Sequence, residues 1–225
     1  MAEKTNVVEV DVVEKARNFW AKNSKLISIT FVVVILAVGG YFVYNNYFKG
    51  PKETKAADAM YKAEEYYRMD SLRLALNGDG QFQGFLGVIS KYGGTEAGNL
   101  ARFYAGAIYL KMDENQNAIT HLKKFNTSSK PVQARAYKLL GDAYADLGNH
   151  KEALKYYKKA AYHFEEDETN SAQALFLAAY LADRVMKDKD EAIALYKELK
   201  TKYPRTQEGF QADTYLAQLG VYKVN

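Results

Sequence analysis

The stretch of residues 134–166 most constrains the fold, because it shows the faces of two successive helices. Four residues of its first half share one face at helical spacing: Tyr137, Leu140, Gly141 and Tyr144. Three residues of its second half do the same: Ala153, Tyr157 and Ala160. Between the halves, residues 146–149 supply a Gly and an Asn, which tolerate the left-handed backbone conformation at a helix end. The stretch therefore predicts a helical hairpin.

Two small residues explain how the helices of this hairpin can pack. Gly141 and Ala153 let the two backbones approach closely, while the tyrosines fill the space around them. This order of aromatic, Leu-Gly, Tyr, then Ala, aromatic, Ala resembles the tetratricopeptide repeat, whose period is about 34 residues. The proline that usually closes that repeat is replaced here by Glu165. The alternative, a chance helical hairpin, is disfavoured because the pattern recurs.

The same spacing appears before and after this hairpin. Three residues lie 35 positions before Gly141, Tyr144 and Ala153, namely Gly106, Tyr109 and Ala118. Three others lie 39 positions after Tyr137, Ala153 and Tyr157, namely Phe176, Ala192 and Tyr196. The longer offset is explained by extra residues in the linker at 165–170. We therefore expect these segments to form further helical pairs in one register.

The ends of the repeat region are also marked. After a break at Gly50-Pro51, an apolar face beginning at Ala56 predicts a helix that runs on to Leu76, and residues 82–89 predict a second. A Lys-Tyr-x-x-Thr pattern closes this pair at residues 91–95 and returns at 202–206, before a lone capping helix at 207–220. The sequence predicts an all-α solenoid of about four helical pairs plus the cap.

One charge-free apolar run precedes the repeats. Residues 26–44 read LISITFVVVILAVGGYFVY, long enough as a helix to cross a hydrocarbon core of about 30 Å. We predict a tail at 1–25, a single transmembrane helix at 26–48 and a tetratricopeptide-type domain at 49–225. The alternative is a cleavable signal peptide cut near Ala37-Val38-Gly39, although its charged segment would be unusually long.

The tail has an apolar side of its own. Val12, Ala16, Phe19 and Trp20 can line one side of a helix, which is typical of an amphipathic segment at a membrane surface. A frayed tail is the alternative. Basic residues on the two sides of the apolar run are equal in number, so they do not fix the orientation. Because a long domain translocates largely regardless of charge, we expect a cytosolic N-terminus and an external domain.

Composition excludes several classes of function. The chain has no cysteine, which excludes disulfides and thiolate sites, and its 31 basic and 27 acidic residues are interleaved, which disfavours nucleic-acid binding. His121, His150 and His163 lack partners at metal-ligand spacing and are interpreted as surface residues. The acidic run at 165–168 lacks the pattern of a calcium loop. We expect no cofactor, no metal and no enzymatic activity.

A stack of helical pairs offers a concave groove lined by the first helix of each pair. We predict that its flanks are apolar and its centre is charged, and that it takes an extended or helical protein segment. The predicted groove residues are Leu100, Phe103, Ala107, Leu110, Arg135, Lys138, Asp142, Asp146, Ala174, Leu177, Leu181 and Arg184. The alternative for Leu177 and Leu181 is a place in the core, since residues 172–182 are apolar nearly all round and must be covered by the capping helix, another copy or a client segment.

The order of tail, apolar helix and repeats resembles the YfgM-like ancillary subunits of the bacterial Sec translocon. That resemblance rests on the whole-chain order and on the Lys-Tyr-x-x-Thr patterns at 91–95 and 202–206. It implies a single-pass inner-membrane protein with a periplasmic domain. Its partners would be translocon subunits, a periplasmic chaperone and exported chains, and it carries over no binding residue. The alternatives are a scaffold for outer-membrane assembly, cell division or secretion, and an enzyme with an unusual site among the charged groove residues.

Overall fold

The computed structural model describes residues 3–222, with side chains from Val12 onward. The chain divides into two units, Met1–Lys52 and Glu53–Asn225. In the first unit, helix α1 spans Glu3–Val43 and is followed by a π-helical segment, Tyr44–Lys49. Within the described residues one helical stretch, Val12–Arg68, is by length and composition able to cross a membrane. The predicted apolar helix is therefore present, and it is compatible with a single-pass anchor.

The remaining helices follow one another along the chain with short connections. Their bounds are α2 Gly50–Arg68, α3 Leu72–Asn77, α4 Phe85–Tyr92, α5 Glu96–Lys111, α6 Asn115–Leu122, α7 Lys130–Asp146, α8 His150–His163, α9 Glu168–Tyr180, α10 Lys189–Lys202 and α11 Gln207–Gln218. A π-helical turn, Leu181–Met186, extends α9. No strand forms between residues 3 and 222, where the backbone makes only an isolated bridge from Gly78 to Gln83. The predicted all-α repeat architecture is confirmed.

The core of the repeat domain consists of two apolar clusters. One is built from α4, α5 and neighbouring helices around Phe85 and Ile108, and the other extends from Phe103 to Leu216. Three half-buried residues of α5 pack against both clusters, namely Leu100, Tyr104 and Tyr109. From α3 to α11 each helix contacts the next one along the chain, so the stack has a continuous core over this part of its length.

Close approach at two glycines sets the distance between the helices of a pair. A Cβ atom on Gly141 would lie 2.5 Å from Cδ1 of Tyr157, and one on Gly106 would lie 2.5 Å from Cγ of Leu122. Both distances are far below van der Waals contact, so neither position can accept a side chain without moving the opposite helix. The shared register of the second and third pairs thus has a steric basis.

The two Lys-Tyr-x-x-Thr segments fold into the same connection. The Thr95 hydroxyl donates to the carbonyl oxygen of Tyr92 at 2.7 Å and accepts from the Gly98 amide at 2.9 Å, which caps α5. Thr206 makes the same two bonds, to Tyr203 at 2.9 Å and from Gly209 at 3.1 Å, and caps α11. The internal repeat inferred from these segments therefore corresponds to one capping structure used twice.

Two predicted boundaries near the start of the repeats are corrected. The helix beginning before Ala56 does not run to Leu76, because Asp70 adopts a left-handed conformation, with φ of 56°, and separates α2 from α3. The predicted break at Gly50-Pro51 is also wrong, since both residues belong to α2. Proline is accommodated there because Pro51 lies just after the π-helical segment, where the regular pattern of backbone hydrogen bonds is already interrupted.

The capping helix α11 covers the apolar helix α9. This is one of the three alternatives predicted from the sequence for covering residues 172–182. Tyr215 of α11 packs edge-on against Phe176 and Tyr180 of α9, with ring centroids 5.4 Å and 6.1 Å apart. Leu216, the next residue of α11, is fully buried. The C-terminal helix therefore closes the open end of the stack.

Candidate protein-binding groove

A cavity of about 510 Å³ lies between the first helices of the third and fourth pairs. Helix α7 contributes Pro131, Val132, Ala134, Arg135, Lys138 and Leu139, α8 contributes Ala160, and α9 contributes Asn170, Gln173 and Ala174. Its volume falls within the range of protein pockets that hold a ligand or a few residues of a peptide. Three predicted groove residues, Arg135, Lys138 and Ala174, are thus brought together around one cavity.

The charged side chains that line this cavity are both cationic. Arg135 is exposed, whereas Lys138 is half-buried and its Nζ lies 3.0 Å from Oδ2 of Asp142, one helical turn further along α7. The second carboxylate oxygen of Asp142 accepts a hydrogen bond of 2.9 Å from the Tyr157 hydroxyl of α8. Asp142 therefore balances Lys138 and joins α7 to α8, while Arg135 leaves positive charge at the cavity.

Burial and the carboxylates of α7 raise the pKa of two groups, Tyr157 and Asp146. Burial raises the pKa of Tyr157 above its usual value, and the nearby Asp142 carboxylate raises it further. Tyr157 is thus held as a neutral hydrogen-bond donor. Asp146 lies at the end of α7, outside the cavity. Partial burial raises the pKa of its carboxyl group, and the carboxylates of Asp142 and Asp113 raise it further.

The apolar flanks of the predicted groove are packed into the domain. Phe103, Ala107, Ala174 and Leu181 are buried, and Leu100, Leu110 and Leu177 are half-buried against the core. Phe103, for example, is 8% exposed and contacts the ring of Phe125 at a centroid distance of 5.4 Å. This corrects the expectation of open apolar flanks, because side chains so covered offer little surface to a partner.

Arg184 lies at the cap rather than at the cavity. Its Nε is 3.0 Å from Oδ2 of the buried Asp183, and its guanidinium lies 5.4 Å from the ring centre of Tyr215. It also donates a hydrogen bond to Gln218 of α11. The geometry therefore assigns Arg184 to the contact between the π-helical turn and the capping helix.

Sequence reasoning missed the polar residues that α9 contributes. Asn170 and Gln173 are exposed and line the cavity one to two turns before Leu177, on the side of α9 that faces α7. Their spacing, three residues from each other and seven and four residues from Leu177, was available as a signal. The apolar stretch at 172–182 masks this signal, because most residues on every side of that stretch are apolar.

The histidines are partly buried, which corrects their interpretation as surface residues. The His121 ring stacks on Tyr109 with centroids 5.4 Å apart, and His163 packs edge-on against Tyr137 at 5.2 Å. Burial lowers the pKa of His121, and the charges of Lys124 and Arg102 lower it further. In the described part of the chain no three His, Asp or Glu side chains are grouped so that they could hold a metal ion.

Comparison with known families agrees with this architecture. Residues 173–206 match the family model of the tetratricopeptide repeat. The match begins in α9 and continues through α10 to Thr206, so it covers the fourth pair rather than the stretch at 134–166 from which the pattern was read. None of the curated proteins compared with the chain matches it. The fold is therefore of the tetratricopeptide-repeat type, a class typically used for protein–protein interaction.

Proposed function

We propose that this chain is a membrane-anchored protein-binding module whose binding site is the cavity between α7 and α9. The observation that carries the proposal is the position of the cavity. It lies between the first helices of adjacent pairs, which line the concave surface of a helical-repeat stack. Surfaces of this kind bind extended or helical segments of other proteins through a few side-chain pockets.

The lining favours a segment that combines an apolar side chain with an acidic one. Val132, Leu139 and Ala174 supply apolar surface, and Arg135 supplies a cation able to hold a carboxylate in two parallel hydrogen bonds. The side-chain amides of Asn170 and Gln173 can bond to the backbone of an extended segment. A site with one exposed cation and a partly apolar lining binds weakly and reversibly, as suits a module that handles several clients.

The order of the chain supports a place in the bacterial cell envelope. A tail, one apolar helix and a repeat domain is the arrangement that resembles the YfgM-like subunits. On this proposal the protein is an inner-membrane protein with its N-terminus in the cytosol and its repeat domain in the periplasm. It would assist exported chains at the Sec translocon together with a periplasmic chaperone.

Reversing the charge at the cavity tests this function. In the full-length tagged protein, purified in mild detergent, we expect Arg135→Glu to lower recovery of bound partners on the order of tenfold, because each 1.4 kcal/mol of lost binding is a factor of ten. Lys151→Glu makes the same change of net charge at an exposed position of α8 outside the cavity lining. It should leave recovery unchanged.

Equal recovery from the two variants would contradict the proposed site, provided that their thermal unfolding curves coincide. The identity of the partners is a separate result. If Arg135→Glu releases partners that include neither translocon subunits nor a periplasmic chaperone, the binding site stands and the translocon role is wrong.

A further inference from the structure

Helix α1 is much longer than a membrane requires. It runs for 41 residues without interruption, or about 60 Å, whereas a hydrocarbon core is about 30 Å thick. If the apolar run spans a membrane, as the proposed function holds, the first turns of α1 must continue beyond it as a helix. The side chains described from Val12 to Lys25 are mostly exposed, so this extension carries apolar groups that nothing in its own unit covers.

Val12, Ala16 and Phe19 of this extension lie on one regular seam. Counting alternate steps of four and three residues from Val12 gives one stripe along the helix, and this spacing is that of the a and d positions of a coiled coil. The d positions are Val12, Phe19, Leu26, Val33 and Gly40, and the a positions are Ala16, Asn23, Thr30 and Ala37. The seam lies within one helix and crosses from the tail into the apolar run without a change of register.

We propose that this seam binds the same seam of a second copy of the chain, forming a parallel two-stranded coiled coil that continues into the membrane. The inference rests on the proposed membrane anchor. Copies of a single-pass protein insert in one orientation, so their α1 helices are held parallel before they meet. Like positions then face one another across a two-fold axis, and a match requires only that the seam be complementary to itself.

The charges beside the seam meet that requirement. The g positions of the tail include Lys15 and Lys22, and the e positions that face them from the other helix are Trp20 and Ile27. No like charges therefore oppose each other along the pair. Lysine beside tryptophan is a favourable arrangement, since the ammonium group is attracted to the face of the ring and the aliphatic stem covers apolar surface.

Polar and small residues on the seam suit a two-stranded pair. The Asn23 amide gives one hydrogen to the Phe19 carbonyl oxygen at 2.9 Å, and its other hydrogen and its oxygen can bond to Asn23 of the second copy. A single asparagine at an a position fixes register and favours two strands. Gly40 lies in the part of the seam inside the membrane. A Cβ atom on Gly40 would meet no atom of this chain, so the fold of the single chain does not require glycine there. Close packing against a second helix does require a small residue.

A lipid surface is a poorer occupant of the tail seam. To lie flat on a membrane, the tail would have to turn sharply away from the spanning helix at about residue 25. Helix α1 contains no proline, and its glycines are Gly39 and Gly40, far from that point. Sharp kinks in helices almost always need such residues or a π-bulge. A straight tail keeps Phe19 away from the bilayer and leaves it to a helix running alongside.

Because the chain lacks cysteine, single cysteines can report which side of α1 meets the second copy. Ala16→Cys and Thr30→Cys lie at a positions, and Ala21→Cys and Ser28→Cys are matched substitutions at f positions on the opposite side. After mild oxidation in native membranes, we expect the disulfide-linked dimer to form on the order of tenfold more at the a positions, because a disulfide needs Cβ atoms about 4 Å apart.

Similar dimer yields at a and f positions, or a cross-link to a different protein at the a positions, would overturn the proposal. Alkaline extraction of the same membranes tests the membrane anchor independently of the pairing. A chain that resists extraction but shows no preference for the a positions has an anchor and no paired seam. A chain released by alkali has no spanning helix, and both proposals then fail.

Discussion

Replacing Gly141 with leucine is expected to lower the midpoint of thermal unfolding of the repeat domain by about 10 °C. A side chain at this position overlaps the Tyr157 ring, since even the Cβ atom would lie 2.5 Å from Cδ1. The ring must move, and it then loses its hydrogen bond to Asp142. Overpacking a close helix contact and breaking a part-buried hydrogen bond together cost about 3 kcal/mol.

Gly94→Leu is the matched control for this change. Gly94 lies in the turn before α5, is exposed, and has no atom within 4 Å of a Cβ built on it. Circular dichroism of the full chain in detergent should show a midpoint close to that of the unchanged protein. If Gly141→Leu and Gly94→Leu unfolded at the same temperature, the close approach of α7 and α8 would be refuted.

Replacing Gly98 with alanine is expected to destabilise the domain by about 3 kcal/mol, although alanine is the better helix former. A Cβ atom on Gly98 would overlap the carbonyl oxygen of Tyr92. That oxygen belongs to the backbone and cannot rotate away, so the connection between α4 and α5 must open. Opening it breaks the two hydrogen bonds of the Thr95 hydroxyl and exposes the first turn of α5.

The adjacent Gly94 again supplies the comparison, because Gly94→Ala adds the same methyl group in open space. Chemical denaturation of both variants gives the two free energies of unfolding, and Gly94→Ala should lie within about 0.5 kcal/mol of the unchanged protein. Gly209→Ala should behave like Gly98→Ala, since its Cβ would overlap the Tyr203 carbonyl oxygen. Equal free energies of unfolding for Gly98→Ala and Gly94→Ala would show that the connection between α4 and α5 is not tightly packed.

Much of the fold was predictable because helical pairs of this kind depend on local spacing. Gly141, Ala153 and Tyr157 are close in sequence, and the contact between them needs only a tight turn at Gly148, which has φ of 71°. The Tyr-x-x-Thr spacing was also visible. Its glycines at 98 and 209 were overlooked, because their role depends on a carbonyl oxygen six residues earlier, which no periodicity of side chains reveals.

The boundaries were less predictable for a different reason. The residues from Met69 to Ser71 are compatible with a helix, and the chain turns there because Asp70 takes a left-handed conformation that brings α3 back toward α4 and α5. Tertiary packing decides that turn, not local preference. At Pro51 the opposite occurred. A residue that usually ends helices lies just after the π-helical segment Tyr44–Lys49, and the helix continues through it.

The candidate site was only partly predictable. Spacing placed Arg135 and Lys138 correctly on the first helix of the third pair, and the structure brings them to one cavity with Ala174. Which apolar residues remain accessible depends on how neighbouring pairs and the cap cover them. Phe103 and Leu181 are therefore core residues here, whereas Asn170 and Gln173 line the cavity because α9 lies across it from α7.

Site-specific photo-cross-linking in living cells tests the central claim most directly. A photoreactive residue at Gln173 lies in the cavity, and one at Lys155 lies on the exposed side of α8, where the lysine side chain is 62% accessible. We predict that Gln173 captures translocon subunits, a periplasmic chaperone or exported chains, that Lys155 captures none of them, and that Arg135→Glu lowers the capture on the order of tenfold. Equal capture at both positions, or capture at Gln173 that Arg135→Glu leaves unchanged, would contradict the cavity as the binding site.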